Sequence, residues 1–487
     1  MVEEFRNEPP QEVIHVGLLC GGIGGGKALR RIESASTRCG AQREAMKPSA
    51  FNILVSDRTS GQLAVYNSLW GSLTTFERAE AETVLHALRE PANGVPEGLR
   101  QLLAAQHHLA PDNEDELQEL TARKRASVLD DSILEVVLLP TLDCNFSCAY
   151  CYQQRRPDAM GRDVAEGVLQ WITHKMPAHE ALSLRWFGGE PLLALPLVLD
   201  FTRRIRNTAR EMERLFLVHM TTNGYLLIPS VAGRLVEAGV TDFQITLDGP
   251  PDVHDARRTL RSGGPTFRRV LDNLLSLVRA APDVSVTLRV NVDGGTVTRV
   301  TELLQMVPQQ ARPSLTLSVE PVFGECRTPM PVPDAPGIAG ADVVRLYDTA
   351  EAMGFTVVDV LADGQRGVYC SAEKTGQYLV NSNGDLHKCS ACEYASRERV
   401  GHIATDGKMV IQPEAWNQWV NTEFFDASCR QCRYLPLCMG GCRKTRIAGE
   451  GTGSFCRFIP EMIDVAIRRK AFGFRSQDAA TTPLERR

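Results

Sequence analysis

The sequence contains no run of about twenty apolar residues and no excess of positive charge. Its first six residues lack the basic start and apolar core of a signal peptide. Lys and Arg number 54 against 59 Asp and Glu, so the net charge of -5 provides no basic field for nucleic acid or an acidic lipid surface. These absences predict a cytoplasmic protein that binds neither membranes nor nucleic acid.

Cysteine, by contrast, is abundant. Fourteen cysteines occur in 487 residues, with three between positions 144 and 151 and eight between 370 and 456. Because cytosolic thiols are kept reduced, such clusters indicate metal ligands rather than disulfides. The other three, Cys20, Cys39 and Cys326, are expected to be ordinary thiols. A chain of 487 residues is longer than the length at which a single hydrophobic core usually stops growing, so several domains are expected.

Short apolar runs alternate with helix-like stretches from residue 133 onward, which is typical of strand and helix units around a parallel sheet. Strands are predicted near residues 133–139, 183–187, 215–221, 242–248, 284–291 and 315–322. Apolar spacing predicts helices at Val164–Met176, Leu192–Arg210, Val231–Ala238, Phe267–Arg279 and Val297–Met306. These units predict an α/β fold with a partial (β/α)6 barrel, whose chemistry gathers at the carboxyl ends of the strands.

Three cysteines follow the first predicted strand with the spacing C-x3-C-x2-C: Cys144, Cys148 and Cys151. Three thiolates on one loop can hold three corners of a 4Fe-4S cluster and leave the fourth iron open to a small molecule. The spacing, with Tyr150 directly before the last cysteine, resembles the signature of radical S-adenosyl-L-methionine (SAM) enzymes. The resemblance implies that the amino and carboxylate groups of SAM bind the open iron.

A turn of Gly188, Gly189 and Glu190 follows the second predicted strand. Glycines let the backbone approach a ligand, and a carboxylate can accept from an ammonium group. The turn resembles the GGE motif of radical SAM enzymes, which holds the SAM amino group. An ordinary strand-to-helix turn is the alternative.

Polar residues also end the third, fourth and fifth predicted strands. The resemblance implies that Thr246 and Arg289 contact the SAM carboxylate or ribose, with Asn223 and Asp248 close by. Each could instead be a capped turn or a buried hydrogen-bonding group. We assign no general base from the sequence.

The second cysteine group resembles the seven-cysteine SPASM module, which carries auxiliary 4Fe-4S clusters in peptide-modifying enzymes. Its seven positions are Cys370, Cys389, Cys429, Cys432, Cys438, Cys442 and Cys456. The resemblance implies one cluster on Cys429, Cys432, Cys438 and Cys456, and another on Cys370, Cys389 and Cys442. Together with the first loop, this makes three 4Fe-4S clusters.

The second auxiliary cluster then lacks one ligand. We favour Cys392 as that ligand, and an open iron that binds substrate or water is the alternative. A zinc ribbon on Cys429, Cys432, Cys438 and Cys442 is the alternative to the auxiliary iron-sulfur clusters, because C-x2-C pairs suit tetrahedral zinc. That interpretation leaves Cys370, Cys389 and Cys456 without a role.

The resemblance implies that a 5'-deoxyadenosyl radical takes hydrogen from a ribosomally synthesised precursor peptide, and that oxidative crosslinking of the peptide follows. It also implies that an external donor such as flavodoxin or ferredoxin supplies the electrons. A sulfatase-maturing, formylglycine-forming enzyme is the alternative in the family. There an aspartate follows the cysteine matching Cys389 and accepts a proton, whereas this chain has Ser390. A non-catalytic iron-sulfur electron carrier or zinc scaffold is the alternative outside it.

Upstream, strands are predicted at Phe51–Val55 and Gln62–Asn67, and helices at Glu77–Leu88 and Pro96–Gln106. Such a module is similar to the leader-peptide recognition elements of peptide maturases, which implies that it binds an extended peptide at its sheet edge. The alternative is that the module only caps the amino-terminal end of the barrel domain. The charged stretch Asp112–Asp131 suits a solvated helix or linker.

The glycine-rich run Gly21–Ala28 nearly matches a phosphate-binding loop but lacks the hydroxyl that holds magnesium, so a flexible arm is preferred. The tail Ser476–Arg487 is polar and expected to be disordered. The expected divisions are an arm (1–49), a candidate recognition module (50–130), the barrel (131–330), a connecting segment (331–368), a SPASM domain (369–460) and a C-terminal helix and tail (461–487).

Overall fold

A computed structural model describes residues 14–16, 45–91, 94–322, 338–363, 367–391, 394–420, 422–423, 427–448 and 455–473. The predictions for Cys20, Cys39, Cys326 and Cys392, for Gly21–Ala28 and for Ser476–Arg487 lie outside these residues. Among the helices of the described ranges, none is both long and apolar enough to cross a bilayer.

The amino-terminal part of the chain contains a small four-stranded sheet, a separate pair of strands, β2 and β6, and three helices. The elements of this part are β1 (Ile14–Val16), β2 (Met46–Pro48), β3 (Asn52–Ser56), β4 (Leu63–Asn67), β5 (Leu73–Phe76), α1 (Arg78–Ala87), α2 (Glu97–Ala105), β6 (Leu109–Pro111) and α3 (Glu116–Leu129). The strand order is β1-β5-β4-β3, in which the β3-β4 and β4-β5 pairs are antiparallel and β1 is parallel to β5. The two predicted strands and two predicted helices are confirmed, whereas β1 and β5 were not predicted.

Both faces of this sheet are covered. Leu63, Val65 and Phe76 pack against α1 and α2 on one face. Side chains of the other face, including Ile53 and Tyr66, pack against the helix Phe455–Phe472. The alternation of side chains along the strands therefore buries both faces, and only the sheet edges are left for further pairing.

Helix α3 differs from the solvated helix or linker expected for the charged stretch. Leu120, Lys124 and Val128 are buried on one of its faces. The Lys124 ammonium donates to the Glu373 carboxylate at 2.8 Å, and both side chains are almost fully buried. The charge pattern alone could not reveal this, because the partner of Lys124 is supplied by a distant part of the chain.

The barrel consists of alternating strands and helices. Its elements are β7 (Ile133–Leu138), β8 (Phe146–Cys148), α4 (Arg162–Lys175), β9 (Ala181–Trp186), α5 (Leu195–Glu211), β10 (Leu215–Thr222), α6 (Pro229–Ala238), β11 (Asp242–Thr246), α7 (Pro251–Arg257), β12 (Arg258–Leu260), α8 (Phe267–Ala280), β13 (Ser285–Val292), α9 (Val300–Met306) and β14 (Leu315–Pro321). Strands β7, β9, β10, β11, β13 and β14 pair in parallel in that order. The six predicted strands and five predicted helices are confirmed.

Alternation along the barrel strands separates an apolar face from a polar one. Leu184, Trp186 and Leu288 are fully buried in the large core beneath the helices. Arg185 and His219 are register partners on neighbouring strands and belong to the opposite set of side chains. The inner face of the barrel is therefore polar.

The C-terminal part continues the same sheet. Its elements are α10 (Gly340–Ala352), β15 (Thr356–Val357), α11 (Val360–Asp363), β16 (Gln377–Val380), β17 (Asp385–His387), β18 (Gly401–Ile403), β19 (Met409–Ile411), α12 (Pro413–Trp419), α13 (Ala427–Arg430), α14 (Leu435–Cys438), α15 (Arg443–Ile447) and α16 (Phe455–Phe472). Strand β16 pairs in parallel with β7, and β17, β18 and β19 follow as antiparallel strands. This extension of the sheet was not predicted.

Candidate active site

The first cysteine loop lies at the carboxyl end of β7 and is held as a ribbon. Strand β8 pairs antiparallel with β12, which places Cys148 opposite Arg258. The Ala149 N–H donates to the Arg257 carbonyl at 2.9 Å. Residues more than one hundred positions later in the chain thus fix the backbone of the loop.

The three thiols of this loop lie within electrostatic reach of one another. Burial, together with the nearby Glu190, Cys148 and Cys151, raises the pKa of Cys144 to about 12. Burial also raises the pKa of Cys148. Thiols in such surroundings ionise only beside a cation, and ionised thiolates are what an iron-sulfur cluster requires. The donor set therefore fits a cluster held by three cysteines.

Gly188 and Gly189 bring the end of β9 against the start of this loop. A Cβ at Gly188 would lie 2.5 Å from the Thr141 carbonyl oxygen, and one at Gly189 would lie 2.1 Å from the Asp143 carbonyl oxygen. Gly188 also has a φ of +122°, which favours glycine. Both positions therefore need glycine so that two backbone segments can touch.

The Glu190 carboxylate is fully buried and bonded to the protein itself. It accepts from the Thr222 hydroxyl at 2.8 Å, the Asn223 N–H at 2.8 Å and the Leu192 N–H at 3.0 Å. Burial raises the pKa of Glu190, and these three hydrogen bonds oppose the rise. The carboxylate thus joins the ends of β9 and β10.

Asp248 has a similar locking role on the other side of the loop. One carboxylate oxygen accepts from the Tyr150 hydroxyl, and the other accepts from the Asn291 backbone N–H and side-chain amide, each at 3.2 Å. Arg258 donates to the Tyr150 hydroxyl at 2.6 Å. Asp248 thereby anchors the aromatic residue that precedes Cys151.

The other predicted ligand-binding residues line the same end of the sheet. The Asn223 amide donates to Asn145 Oδ1 at 2.8 Å and lies 3.8 Å from the Cys144 sulfur. Thr246 and Arg289 are register partners on β11 and β13, and the Arg289 Nε donates to Asn291 Oδ1 at 2.9 Å. Cys144, Glu190, Asn223 and Asp248 are thus brought together by direct contacts or short links, and Thr246 and Arg289 face them from neighbouring strands.

Several buried polar atoms around the loop have no hydrogen-bond partner among the described residues. They are Asn145 Nδ2, Gln153 Nε2, Arg257 Nε and Arg258 Nε. Such groups are costly to bury unless a ligand or water satisfies them. All four are donors, so they fit a ligand rich in acceptors.

The C-terminal cysteines form two separate groups. Burial raises the pKa of Cys389 to about 12, with contributions from Cys370 and Cys442. Burial raises the pKa of Cys438 to about 12 as well, with contributions from Cys456, Cys432 and Cys429. The thiols that act on Cys389 are therefore different from those that act on Cys438.

The surroundings of Cys442 bear on the alternative of a zinc ribbon on Cys429, Cys432, Cys438 and Cys442. The Cys442 thiol contributes to the raised pKa of Cys370 and of Cys389, which such a ribbon would leave without a role. This contact weighs against the zinc ribbon.

The sequence analysis assigned no role to the residues that contact Tyr150 in the cysteine loop. Arg258, Arg257 and Asn291 contact Tyr150 through a hydrogen bond, a ring contact at 5.0 Å and a second hydrogen bond. The only available signal for the two arginines was their position after the fourth strand, where the structure buries Arg258 and leaves Arg257 partly exposed. Nothing in the sequence indicated that this pair would lie beside the cysteine loop.

Comparison with known proteins agrees with this site. Residues 138–307 match the family model of the radical SAM superfamily. The chain is 22% identical over 361 residues to the cysteine-type anaerobic sulfatase-maturating enzyme of Clostridium perfringens, covering 67% of this chain and 94% of that protein. It is 25% identical over 340 residues to the mycofactocin maturase MftC of Mycolicibacterium smegmatis, covering 62% of this chain and 76% of that protein.

A solved structure has the same fold. The structure described as native anSMEcpe with bound AdoMet and Cp18Cys peptide superposes with a TM-score of 0.54 at 19% identity, covering 69% of this chain and 98% of that one. The matched residues include the cysteine loop and the strands that carry the residues described above. Residues 138–307 of this chain are therefore a radical SAM domain, and the cysteines that follow it are consistent with a SPASM domain.

Proposed function

We propose that this chain is a radical SAM enzyme that modifies a ribosomally synthesised peptide, with oxidative crosslinking as the reaction. Its radical SAM domain and its similarity to a maturase and a sulfatase-maturating enzyme support this proposal. SAM bound at the first cysteine loop would supply, on one-electron reduction, a 5'-deoxyadenosyl radical able to take hydrogen from an unactivated C–H bond.

The observation that carries the proposal is the position of the two cysteine sites on one sheet. The Cys144–Cys151 loop lies at the carboxyl end of β7. Cys370 precedes β16, which runs parallel to β7, and Cys389 follows the β16-β17 hairpin. Cys389 packs against an apolar cluster that contains Val137 and Leu379. Both cysteine sites are therefore built on β7 and its neighbouring strands.

This arrangement suits a peptide that is bound across the barrel. Burial raises the pKa of the Cys370 thiol, and Arg185, on the inner face, opposes that rise, so its guanidinium lies near the second cysteine site. The Arg185 guanidinium can donate to peptide carbonyls between the two sites. An oxidative crosslink requires hydrogen removal, which we place at the Cys144–Cys151 loop, and electron acceptance, which we place at the site of Cys370 and Cys389.

For the metal ligands we propose three clusters. Cys144, Cys148 and Cys151 hold the SAM-binding cluster. The remaining sets are Cys429, Cys432, Cys438 and Cys456 for one auxiliary cluster, and Cys370, Cys389 and Cys442 with Cys392 for the other. The two groups of interacting thiols support this allocation.

We further propose the partners and the compartment. A precursor peptide is the substrate, and an external donor such as flavodoxin or ferredoxin supplies electrons. Reduced cysteine clusters of this kind require a reducing compartment, which supports the cytoplasm.

The similarity to the Clostridium perfringens enzyme favours one second candidate, which is sulfatase maturation. Ser390 weighs against it, because the proton-accepting aspartate of that reaction is missing at this position. The Ser390 carbonyl accepts from the Tyr394 hydroxyl at 2.7 Å, which fixes the turn after Cys389. A sulfatase-derived cysteine peptide would separate the two candidates, since formylglycine formation changes its mass differently from a crosslink.

The test of the main proposal is anaerobic reconstitution followed by incubation with SAM, dithionite and a short peptide encoded beside this gene. We expect 5'-deoxyadenosine, a peptide that has lost two hydrogens, and about twelve irons per chain. Formation of 5'-deoxyadenosine without any loss of hydrogen from such peptides would overturn the proposed crosslinking.

A further inference from the structure

Strand β10 directs every second side chain to the inner face of the barrel. Val218 and Met220 are buried in the core beneath the helices, so Leu217, His219 and Thr221 belong to the inner face. Among the described residues, the Leu217 side chain remains 43% exposed and His219 is only partly buried. A substrate inside the barrel can therefore contact this part of β10.

The His219 ring has a partner at each of its two nitrogens. Its Nδ1 lies 2.8 Å from Asp242 Oδ2 on the neighbouring strand β11, and its Nε2 lies 3.0 Å from the Thr221 hydroxyl. Because a carboxylate can only accept, the proton of the neutral ring is on Nδ1 and is donated to Asp242. The Nε2 lone pair then accepts from Thr221. This nitrogen is thus arranged to accept a proton on the inner face.

Asp242 suits the role of the orienting group. One of its oxygens, Oδ1, is shielded from solvent, and no donor reaches it among the described residues. Such an acceptor is costly to bury unless a ligand or water donates to it. A carboxylate bonded to Nδ1 fixes the tautomer of the ring and stabilises the positive charge that forms when Nε2 takes a proton. His219 and Asp242 therefore have the geometry of a general base and its positioning carboxylate.

His219 is linked to both cysteine sites by short steps. Four residues further along β10, which is about 13 Å along a strand, the Asn223 amide lies 3.8 Å from the Cys144 sulfur. On the other neighbouring strand, β9, the register partner of His219 is Arg185, whose guanidinium lies near Cys370. A peptide in contact with both sites can therefore reach His219.

We propose that His219 is the general base of the peptide modification, that Asp242 positions its ring, and that the group it deprotonates is a substrate thiol. This inference rests on the proposed function. As a thioether forms, one hydrogen atom leaves a substrate carbon for the 5'-deoxyadenosyl radical, and the sulfur bonds to that carbon. The thiol proton goes to His219 Nε2, and the remaining electron goes to the auxiliary cluster proposed at Cys370 and Cys389.

The strength of the base favours a thiol as the substrate group. Of the side-chain nucleophiles, a thiol has the ordinary acidity that lies closest to that of an imidazolium, so the transfer of its proton to a histidine is the least costly. The base thereby selects a thioether from among the possible oxidative crosslinks.

The test compares the reconstituted full-length chain with His219→Ala, using the short peptide encoded beside this gene. We expect the ratio of crosslinked peptide to 5'-deoxyadenosine to fall at least about a hundredfold, which is the usual scale for a general base. Added imidazole should restore the ratio, because it can occupy the space of the missing ring and accept the proton. Asp242→Asn should lower the ratio less, and imidazole should not restore it.

His402 provides a matched control. It forms a similar pair outside the barrel, with Nδ1 3.1 Å from Asp385 Oδ1. His402→Ala should therefore give the same product ratio as the unmodified chain, with and without imidazole.

Carbethoxylation of histidines by diethyl pyrocarbonate, without SAM, tests contact with the peptide in the absence of turnover. Mass spectrometry should show that the peptide protects His219 and does not protect His402. An unchanged ratio in His219→Ala, a fall that imidazole does not reverse, or equal carbethoxylation of His219 with and without peptide would each overturn the inference alone. An unmodified chain that forms no crosslink would overturn the proposed function, and this inference with it.

Discussion

The two cysteine sites of this protein differ in what holds them. The loop of Cys144–Cys151 is paired with β12, backed by Gly188 and Gly189, and fixed through Tyr150 to Asp248. In the C-terminal region, Cys429 and Cys438 lie on the helices α13 and α14, each of four residues. Helices this short are not stable on their own. The first site is thus held by strand pairing and buried hydrogen bonds, whereas we expect order in the second region to depend more on the metal that its cysteines are proposed to bind.

Replacing one cysteine in each site gives the largest expected difference between them. Cys148→Ala should abolish 5'-deoxyadenosine formation, because it removes a ligand of the cluster that binds SAM. Cys438→Ala should retain SAM cleavage but lose the modified peptide. Liquid chromatography with mass spectrometry measures both products. Loss of SAM cleavage in a folded Cys438→Ala protein would show that the two sites are not separable in this way.

Removing iron should reduce hydrogen-exchange protection more in the C-terminal cysteine region than in the barrel strands. After anaerobic chelation, hydrogen exchange should rise strongly in residues 427–448, while the strands β9 and β10 remain protected. The reason is that metal binding supplies the folding free energy of small cysteine-rich regions. Equal loss of protection in both regions would contradict the contrast drawn above.

The buried pair Lys124–Glu373 ties the amino-terminal module to the C-terminal region and gives the largest expected effect on stability. Lys124→Met should lower the free energy of unfolding by about 3–5 kcal/mol, because it leaves the Glu373 carboxylate buried without its counter-charge. Adding Glu373→Gln should recover part of that loss. Arg125→Met, on the exposed side of α3, is the control. Denaturant unfolding measures all four proteins, and an unchanged Lys124→Met midpoint would contradict this assignment.

The sequence predicted the elements of the barrel better than the contacts between them. Alternation of apolar runs located β7, β9, β10, β11, β13 and β14 because each strand and helix has its own periodicity. Contacts between distant residues, such as Tyr150 with Arg258 or β16 with β7, leave no local pattern and were missed. The cysteine groups were predicted because their spacing is itself the signal, whereas the pairing of Lys124 with Glu373 turned an expected linker into a buried helix face.

Glu190 tests whether the first site is held by the protein. Glu190→Gln should destabilise the protein by about 2 kcal/mol, because the amide group would face donors that now bond to a carboxylate. Affinity for SAM should fall as well, through the displaced ends of β9 and β10. Glu211→Gln, which is exposed, is the control. Calorimetric unfolding and SAM titration are the measurements, and wild-type values in both would contradict the locking role.

The pH dependence of stability gives the smallest expected effect. Burial lowers the pKa of His254 to about 3, and its ring accepts from the Asp248 N–H at 3.2 Å. The unfolded chain binds a proton near the usual histidine pKa and the folded chain does not, so stability falls as pH drops below about 6.5. We expect a loss of about 1 kcal/mol from this residue between pH 7 and 5.5.

His254→Gln should remove that part of the slope, and the matched comparison is the unmodified chain in the same buffers. Thermal unfolding at several pH values measures the difference. An identical slope in the variant would show that His254 is not a buried neutral group.

The most direct test of the central claim is an electron paramagnetic resonance spectrum of the reduced, reconstituted protein with and without SAM. We predict that SAM changes the signal of one cluster and that Cys148→Ala removes both that cluster and the change. A spectrum that does not respond to SAM, or a response that persists in Cys148→Ala, would contradict the assignment of an open iron to the first cysteine loop.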